Sequence, residues 1–415
     1  MSTLVATAAM ILLLRTSSSL TLAVTLVTTT VYWVSLLNLV FRRERAASIR
    51  KSAAVMERDR RIRASLQCGD AGVKFLDTRN QWDDDGRVTP TAAVMMTPGL
   101  EARVFTAATL ERLTAATRLV SPIPMLMPGD DWADVEVVVT GWGCPSLDAA
   151  VLNRLPALRL VAHAAGTVRG LVTDDLWERD VIVTSAAAAN AVPVAEFTFA
   201  AVVMVLKDVF GVRDRHREVR GASSVVDQTR MGTMGRRIGL IGASTIGRLV
   251  IERLHTLDVE LAVSDPYLDD DAAAVLGVTR MDLDDLLAWA DVVSVHAPAL
   301  PATRHLIDAA ALARMSDGTW LINTARGSLV DTDALTAEVV SGRLCAFIDT
   351  PDPEPLPPES PLYDLPNVVL TPHIAGSLGI EITRMGDLAV AEVERFVAGE
   401  SPLHPVSRDD LERIA

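Results

Sequence analysis

The chain has 415 residues, which at roughly 150 residues per domain gives two or three domains with sizeable cores. Its net charge of −14 is uneven, because residues 1–88 carry a net +5 and the remainder carries −19. So acidic a body argues against nucleic-acid binding, which needs a basic face. The three widely spaced cysteines exclude a disulfide-stapled scaffold and offer no zinc pattern, so we predict no metal site.

Residues 1–88 are predicted to be an N-terminal extension. The stretch 16–41 carries no charged side chain, and as a helix it would be about 39 Å long, more than the roughly 30 Å of a bilayer core. The arginines that follow it would leave the body of the protein in the cytoplasm. A membrane anchor is one hypothesis for this stretch. The alternatives are a buried or interfacial helix, which its threonines favour, and sequence upstream of the true start codon. Residues 42–87 are typical of a polar linker.

Short apolar runs alternate with helical stretches from residue 91 onward. The apolar runs predict strands at Ala92–Met96, Val135–Thr140, Leu158–His163 and Val181–Thr184. The stretches between them predict helices at Ala107–Ala116, Ser146–Leu152 and Asp174–Glu178. Such alternation is typical of a parallel sheet with helices on both faces. One long helix is predicted from Val192 to Val219, and its apolar segment FTFAAVVMVL favours burial between domains over a membrane span.

A second unit of this kind begins at Gly235 and has the pattern of a dinucleotide-binding motif. Strands are predicted at Arg237–Ile241 and Val259–Ser264, with a turn and a helix between them. Amides at the start of such a helix bind phosphate, so the turn is predicted to bind the cofactor through Gly242, Ser244, Thr245, Ile246 and Gly247.

Two details of this motif bear on the cofactor. Ser244 stands where a glycine is usual, and either its hydroxyl reaches a phosphate or its Cβ displaces the cofactor outward. Asp265 ends the second strand and is placed to hold the ribose hydroxyls. Because a carboxylate repels a 2′-phosphate, Asp265 favours NAD over NADP.

Four further motifs follow in order. They are VSVHAPALPATRHLI (293–307), LINTARGSLVDTDAL (321–335), AFIDTPDPEPLP (346–357) and LPNVVLTPHIAGS (365–377). With the glycine turn, they resemble the D-isomer-specific 2-hydroxyacid dehydrogenases over about residues 91–405. The resemblance implies an α/β fold of two doubly wound, Rossmann-like domains. A flavodoxin-like substrate domain is then expected at 89–190, completed by 374–415, and the NAD domain at 191–373.

The resemblance implies a catalytic set of Arg326, Glu354 and His373. Histidine is suited to exchange a proton with the substrate oxygen near neutral pH, and a neighbouring carboxylate favours its protonated form. Glu354 matches that carboxylate, but it lies in a proline-rich loop in which Asp352 is an alternative partner. The planar fork of Arg326 suits a substrate carboxylate and the adjacent carbonyl oxygen.

The remaining implied contacts divide between cofactor and substrate. Asp349 matches the residue that orients the nicotinamide carboxamide, and the other implied cofactor contacts are His296, Thr303, Thr324 and Ala325. Ala165, Gly166 and Thr167 match a loop whose amides hold the substrate carboxylate together with Arg326.

The expected reaction is hydride transfer between NAD(H) and a small 2-oxo or D-2-hydroxy acid, in a homodimer. The alternative is a non-catalytic NAD-sensing protein on the same fold, tethered to a membrane if 16–41 is an anchor.

Overall fold

The computed structural model of the protein describes residues 89–120, 125–129, 132–221 and 231–412. The predicted extension 1–88, with its anchor hypothesis at 16–41, lies outside these residues. The described chain forms two parallel β-sheets with helices around them, which confirms the predicted α/β class.

The first sheet has five parallel strands in the spatial order β2-β1-β3-β4-β5. Its strands are β1 (Thr91–Met95), β2 (Arg118–Leu119), β3 (Val135–Thr140), β4 (Leu160–His163) and β5 (Ile182–Ser185). Its helices are α1 (Glu101–Val104), α2 (Ala107–Ala116), α3 (Ala149–Leu152) and α4 (Asp174–Trp177). The strand order is that of flavodoxin-like folds, as the resemblance implies. Alternate residues of β1 and β3 pack into two different hydrophobic clusters, so both faces of the sheet are covered.

Two helices connect the sheets where the sequence predicts one. α5 (Ala187–Leu206) and α6 (Val209–Val219) replace the predicted helix from Val192 to Val219, which is wrong as a single element. The break lies at Asp208, whose left-handed backbone (φ 48°) cannot continue a right-handed helix. By length and composition α5 could cross a bilayer, and half of its most apolar window is buried inside the protein.

The second sheet has seven parallel strands in the order β12-β11-β10-β9-β6-β7-β8. Its strands are β6 (Arg236–Ile241), β7 (Val259–Ser264), β8 (Thr279–Arg280), β9 (Val292–Val295), β10 (Trp320–Asn323), β11 (Cys345–Ile348) and β12 (Val368–Leu370). Its helices are α7 (Thr245–Leu254), α8 (Asp270–Leu276), α9 (Leu283–Trp289), α10 (Ala309–Arg314) and α11 (Thr332–Val340). The direction of winding reverses between β6 and β9, which is the usual place for a ligand in such sheets.

The last long helix, α12 (Ile382–Val397), packs against the first sheet although it follows the second in sequence. It contacts α1, α2 and β4. The segment 403–406 then runs beside β5, where the Val406 amide donates to the Val183 carbonyl at 2.8 Å. The chain therefore returns to the first sheet after completing the second.

Gly386 lets α12 approach α1 closely, because a Cβ at this position would overlap the Val104 carbonyl oxygen. We expect Gly386→Ala to lower the free energy of unfolding by about 1–3 kcal/mol through overpacking, although alanine favours a helix. Arg384→Ala, on the exposed side of the same helix, is the control and should change stability by less than about 0.5 kcal/mol. Urea denaturation of both variants measures the difference, and equal stability of Gly386→Ala and wild type would contradict the close packing.

Candidate active site

A cleft of about 830 Å³ lies where loops from both sheets meet. It is at the carboxyl ends of the strands, where α/β proteins commonly bind small molecules. Most of the residues predicted from the sequence line it, namely Gly166, Thr167, Ser244, Thr245, Ile246, His296, Thr324, Ala325, Arg326, Asp349 and His373. The others are absent from its lining, namely Ala165, Gly242, Gly247, Asp265, Thr303 and Glu354.

His373 and Glu354 form a hydrogen-bonded pair at the cleft. The Nδ1 atom of His373 is 2.8 Å from Oε1 of Glu354, and the two side chains are 47% and 46% exposed. Asp352, the alternative partner, is instead 3.7 Å from Nη1 of Arg304. The geometry therefore favours Glu354 over Asp352 as the carboxylate that orients the imidazole.

Asp349 fixes the loop that carries His373. Its carboxylate is fully buried at the end of β11. Oδ1 accepts hydrogen bonds from the Thr371 hydroxyl (2.6 Å) and the Ile374 amide (2.8 Å), and Oδ2 accepts one from the Ala375 amide (2.9 Å). The Asp349 carbonyl also accepts from the His373 amide at 2.9 Å. Sequence spacing gave no signal of this positioning role, because it depends on contacts between separate loops.

Arg326 follows β10 and lines the cleft as a partly desolvated cation. Its Nη1 donates to the Ala325 carbonyl at 2.7 Å, while the side chain of Asn323 holds the Arg326 carbonyl at 2.9 Å. Burial lowers the pKa of Arg326, and the charge of nearby Glu354 opposes that shift. Because arginine stays charged in proteins, its desolvated guanidinium is suited to bind an anion.

The glycine turn fits closely against the neighbouring strand. Gly242 has φ 100°, and a Cβ there would lie 2.8 Å from the Ala297 amide nitrogen. A Cβ on Gly247 would overlap the Gly242 carbonyl oxygen. The Ser244 hydroxyl accepts a hydrogen bond from the Gly247 amide at 3.3 Å and so caps α7. The sequence pattern did not predict this use of the hydroxyl.

Asp265 lies beside the same turn. Its Oδ2 accepts from the Ala243 amide at 2.7 Å, and its Oδ1 accepts from the Tyr267 amide at 2.8 Å. These bonds hold the carboxylate at the end of β7, next to the start of α7. Thr245 and Ile246, in the first turn of α7, line the cleft directly.

The other predicted cofactor residues differ in their surroundings. His296 is buried, its Nε2 is 2.9 Å from the Ser294 hydroxyl, and burial lowers its pKa to about 4, so the ring is neutral near pH 7. The Thr324 hydroxyl is 2.7 Å from that of Thr198 in α5. Thr303 is not among the residues that line the cleft, and its hydroxyl donates to the Pro298 carbonyl at 2.6 Å.

A residue of β5 holds the predicted substrate loop. The Ser185 hydroxyl donates to the Gly166 carbonyl at 2.5 Å. His163, at the end of β4, is buried with its Nδ1 2.8 Å from the Thr140 hydroxyl, and burial lowers its pKa to about 4. Sequence reasoning does not assign several of the lining residues to the site, because only the fold places them there: Ser185, Ser377, Leu378, Leu403 and His404. Trp142 and Asn190 also line the cleft.

Comparison with known proteins gives consistent matches. The family model described as D-isomer specific 2-hydroxyacid dehydrogenase, NAD binding domain, matches residues 199–375. An (S)-sulfolactate dehydrogenase of Chromohalobacter salexigens is 35% identical over 253 residues, which are 60% of this chain and 81% of that protein. A D-3-phosphoglycerate dehydrogenase of Mycobacterium tuberculosis is 34% identical over 256 residues, 61% of this chain. The chain spans about half of that relative's length, 48%.

A solved structure shows the same architecture. A phosphoglycerate oxidoreductase from Rhizobium etli has a TM-score of 0.66 and 25% sequence identity to this chain. The likeness covers 77% of this chain and 99% of the other.

Ser244 should contribute to stability as a helix cap. We expect Ser244→Ala to lower the free energy of unfolding by about 1 kcal/mol, because the Gly247 amide loses its acceptor. Ser244→Gly should lower the free energy of unfolding by only about a few tenths of a kcal/mol. Thermal or urea denaturation without ligand measures both. The cap would be refuted if the alanine variant were as stable as the wild type.

Proposed function

The chain belongs to the D-isomer specific 2-hydroxyacid dehydrogenase family, and we propose that it interconverts a small 2-oxo acid and the D-2-hydroxy acid with NAD(H). The observation that carries this proposal is the His373–Glu354 pair, 2.8 Å apart, with His373 and Arg326 both lining one cleft. A proton donor and an anion-binding guanidinium are the two groups that reduction of a 2-oxo acid requires from the protein.

The glycine turn and its surroundings fit a dinucleotide. The contacts at Gly242 and Gly247 leave no room for side chains, and the amide-bearing first turn of α7 opens on the cleft. Amides and the dipole at a helix N-terminus favour a bound phosphate. We assign the ribose hydroxyls to Asp265, and the nicotinamide end to Asp349, Thr324 and Ala325. When bound, NADH supplies the hydride that is added to one face of the substrate carbonyl.

The protein residues then bind the substrate and move one proton. We assign the substrate carboxylate to Arg326 and to the amides of the Gly166 and Thr167 loop. Protonated His373 gives its proton to the oxygen that gains charge, so one hydride and one proton convert the carbonyl to an alcohol. Neutral His373 takes that proton back in the oxidation direction. Glu354 orients the ring and stabilises the imidazolium.

We also propose the domain division expected from the sequence, 89–190 with 374–415 and 191–373. The packing of α12 on the first sheet supports it. The cleft then has one wall from each domain, which is the arrangement that brings a substrate loop to a cofactor turn.

Loss of NADH absorbance tests the activity directly. Purified full-length protein is mixed with NADH and separately with glyoxylate, hydroxypyruvate, pyruvate and phenylpyruvate. We expect turnover with at least one of them. Protein that binds NADH, as seen by quenching of its fluorescence, but oxidises it with no 2-oxo acid would overturn the enzyme proposal in favour of the NAD-sensing alternative.

The role of Glu354 can be separated from that of Asp352. We expect Glu354→Gln to lower kcat by about 10- to 100-fold, because the imidazole loses the charge that stabilises its protonated form. Asp352→Asn removes a carboxylate from the same loop that does not contact His373, so its kcat should stay within about twofold of wild type. Steady-state kinetics with a fixed substrate compares them. Equal losses in the two variants would contradict the assignment of Glu354.

A further inference from the structure

The segment 403–406 forms part of the cleft wall beside the substrate loop. Its residues line the cleft from Leu403 to Val406. The Ser185 amide donates to the His404 carbonyl at 3.2 Å, and the Ser185 hydroxyl donates to the Gly166 carbonyl at 2.5 Å. Ser185 therefore links His404 to the Gly166 loop, which is proposed to hold the substrate carboxylate. His404 has no such link to the glycine turn among the described contacts.

A buried carboxylate fixes this wall from the other side. Glu392 of α12 is only 2% exposed. It accepts hydrogen bonds from the Leu403 amide at 3.0 and 3.1 Å and from the His404 amide at 3.0 Å. Burial of a carboxylate is costly unless such bonds are made, so this contact defines the backbone position tightly. The backbone of His404, a residue that lines the cleft, is consequently fixed by hydrogen bonds at both its amide and its carbonyl.

The charges around the cleft favour an anion. Its basic lining residues are His296, Arg326, His373 and His404. Asp349 is the one acidic residue among the described lining residues, and its carboxylate is engaged by Thr371 and by two backbone amides. His296 is neutral and borders the glycine turn, since Gly242 packs on its backbone. Of the basic lining residues, Arg326, His373 and His404 are therefore the ones available to bind the substrate.

We propose that His404 recognises a second anionic group, carried on C3 of the substrate. This inference rests on the proposed function, in which Arg326 and the Gly166 loop bind the carboxylate and His373 meets the carbonyl oxygen. The C3 substituent is then the part of the substrate without a partner. An imidazole donates a hydrogen bond and, when protonated, adds a positive charge, so it favours a carboxylate, sulfonate or phosphate there over a neutral group. The substrate class is a dianionic 2-oxo acid.

Two substrates that differ only in the C3 substituent test the proposal. Sulfopyruvate carries a sulfonate, and hydroxypyruvate carries a hydroxyl. The ratio of their kcat/KM values is measured for wild type, His404→Gln, His404→Arg and the control His255→Gln. His255 is exposed and its Nε2 is 2.7 Å from the Leu276 carbonyl, outside the cleft lining, and glutamine can keep that bond.

We expect wild type to prefer sulfopyruvate, and the ratio of kcat/KM values to fall at least about tenfold in His404→Gln, because glutamine cannot carry a positive charge. His404→Arg should keep the preference, and His255→Gln should match wild type. An unchanged ratio in His404→Gln overturns the inference while the proposed function stands. An equal fall of the ratio in His404→Gln and His404→Arg also overturns the inference. Such a result would indicate a structural role of His404, which does not depend on its charge. If wild type reduces neither substrate nor any other 2-oxo acid, the proposed function itself fails.

Discussion

The buried carboxylate of Asp349 is the interaction on which the arrangement of the cleft depends. Asp349 directly follows β11, and its carboxylate accepts three hydrogen bonds, from the Thr371 hydroxyl and from the amides of Ile374 and Ala375. His373 lies inside that span and has a left-handed backbone with φ 55°. A non-glycine residue in this conformation is held there at an energetic cost by its surroundings. The loop therefore takes its shape from Asp349, and the imidazole reaches Glu354 as a consequence.

The second constraint is electrostatic. The residues after position 88 carry a net charge of −19, yet Arg326 lies in a cleft with one acidic residue among its described lining residues. That residue is Asp349, whose carboxylate accepts three hydrogen bonds. Coulombic forces between exposed charges fade within about 10 Å in salt, whereas partly buried charges are screened much less. The local field around Arg326, and not the net charge, consequently decides what binds there. Burial lowers the pKa of Arg326, because the partly buried guanidinium is less hydrated than an exposed one. An anion can take the place of that water.

Most of the fold could be predicted from the sequence, because apolar periodicity reflects burial directly. The bounds of β3, α2 and β7 agree with the predicted Val135–Thr140, Ala107–Ala116 and Val259–Ser264. The break at Asp208 could not be predicted, since it is a single residue's backbone conformation inside an otherwise helical pattern. The motifs likewise placed Arg326, Asp349 and His373 in one cleft, but not His404. The position of His404 depends on Glu392 and Ser185. These two residues are far apart in sequence and come together only because α12 returns to the first sheet.

The half-exposed state of the His373–Glu354 pair has a consequence for turnover. In the proposed reaction His373 gives up one proton in each reductive cycle and must regain it before the next. A fully buried acid would need a relay of side chains to do so, whereas side chains that are 47% and 46% exposed can exchange protons with solvent directly. Arg326, which only binds and polarises, has no such need and is accordingly the more buried member of the set. The exposure of His373 thus suits a group that exchanges a proton with water in each cycle. The burial of Arg326 suits a group that does not.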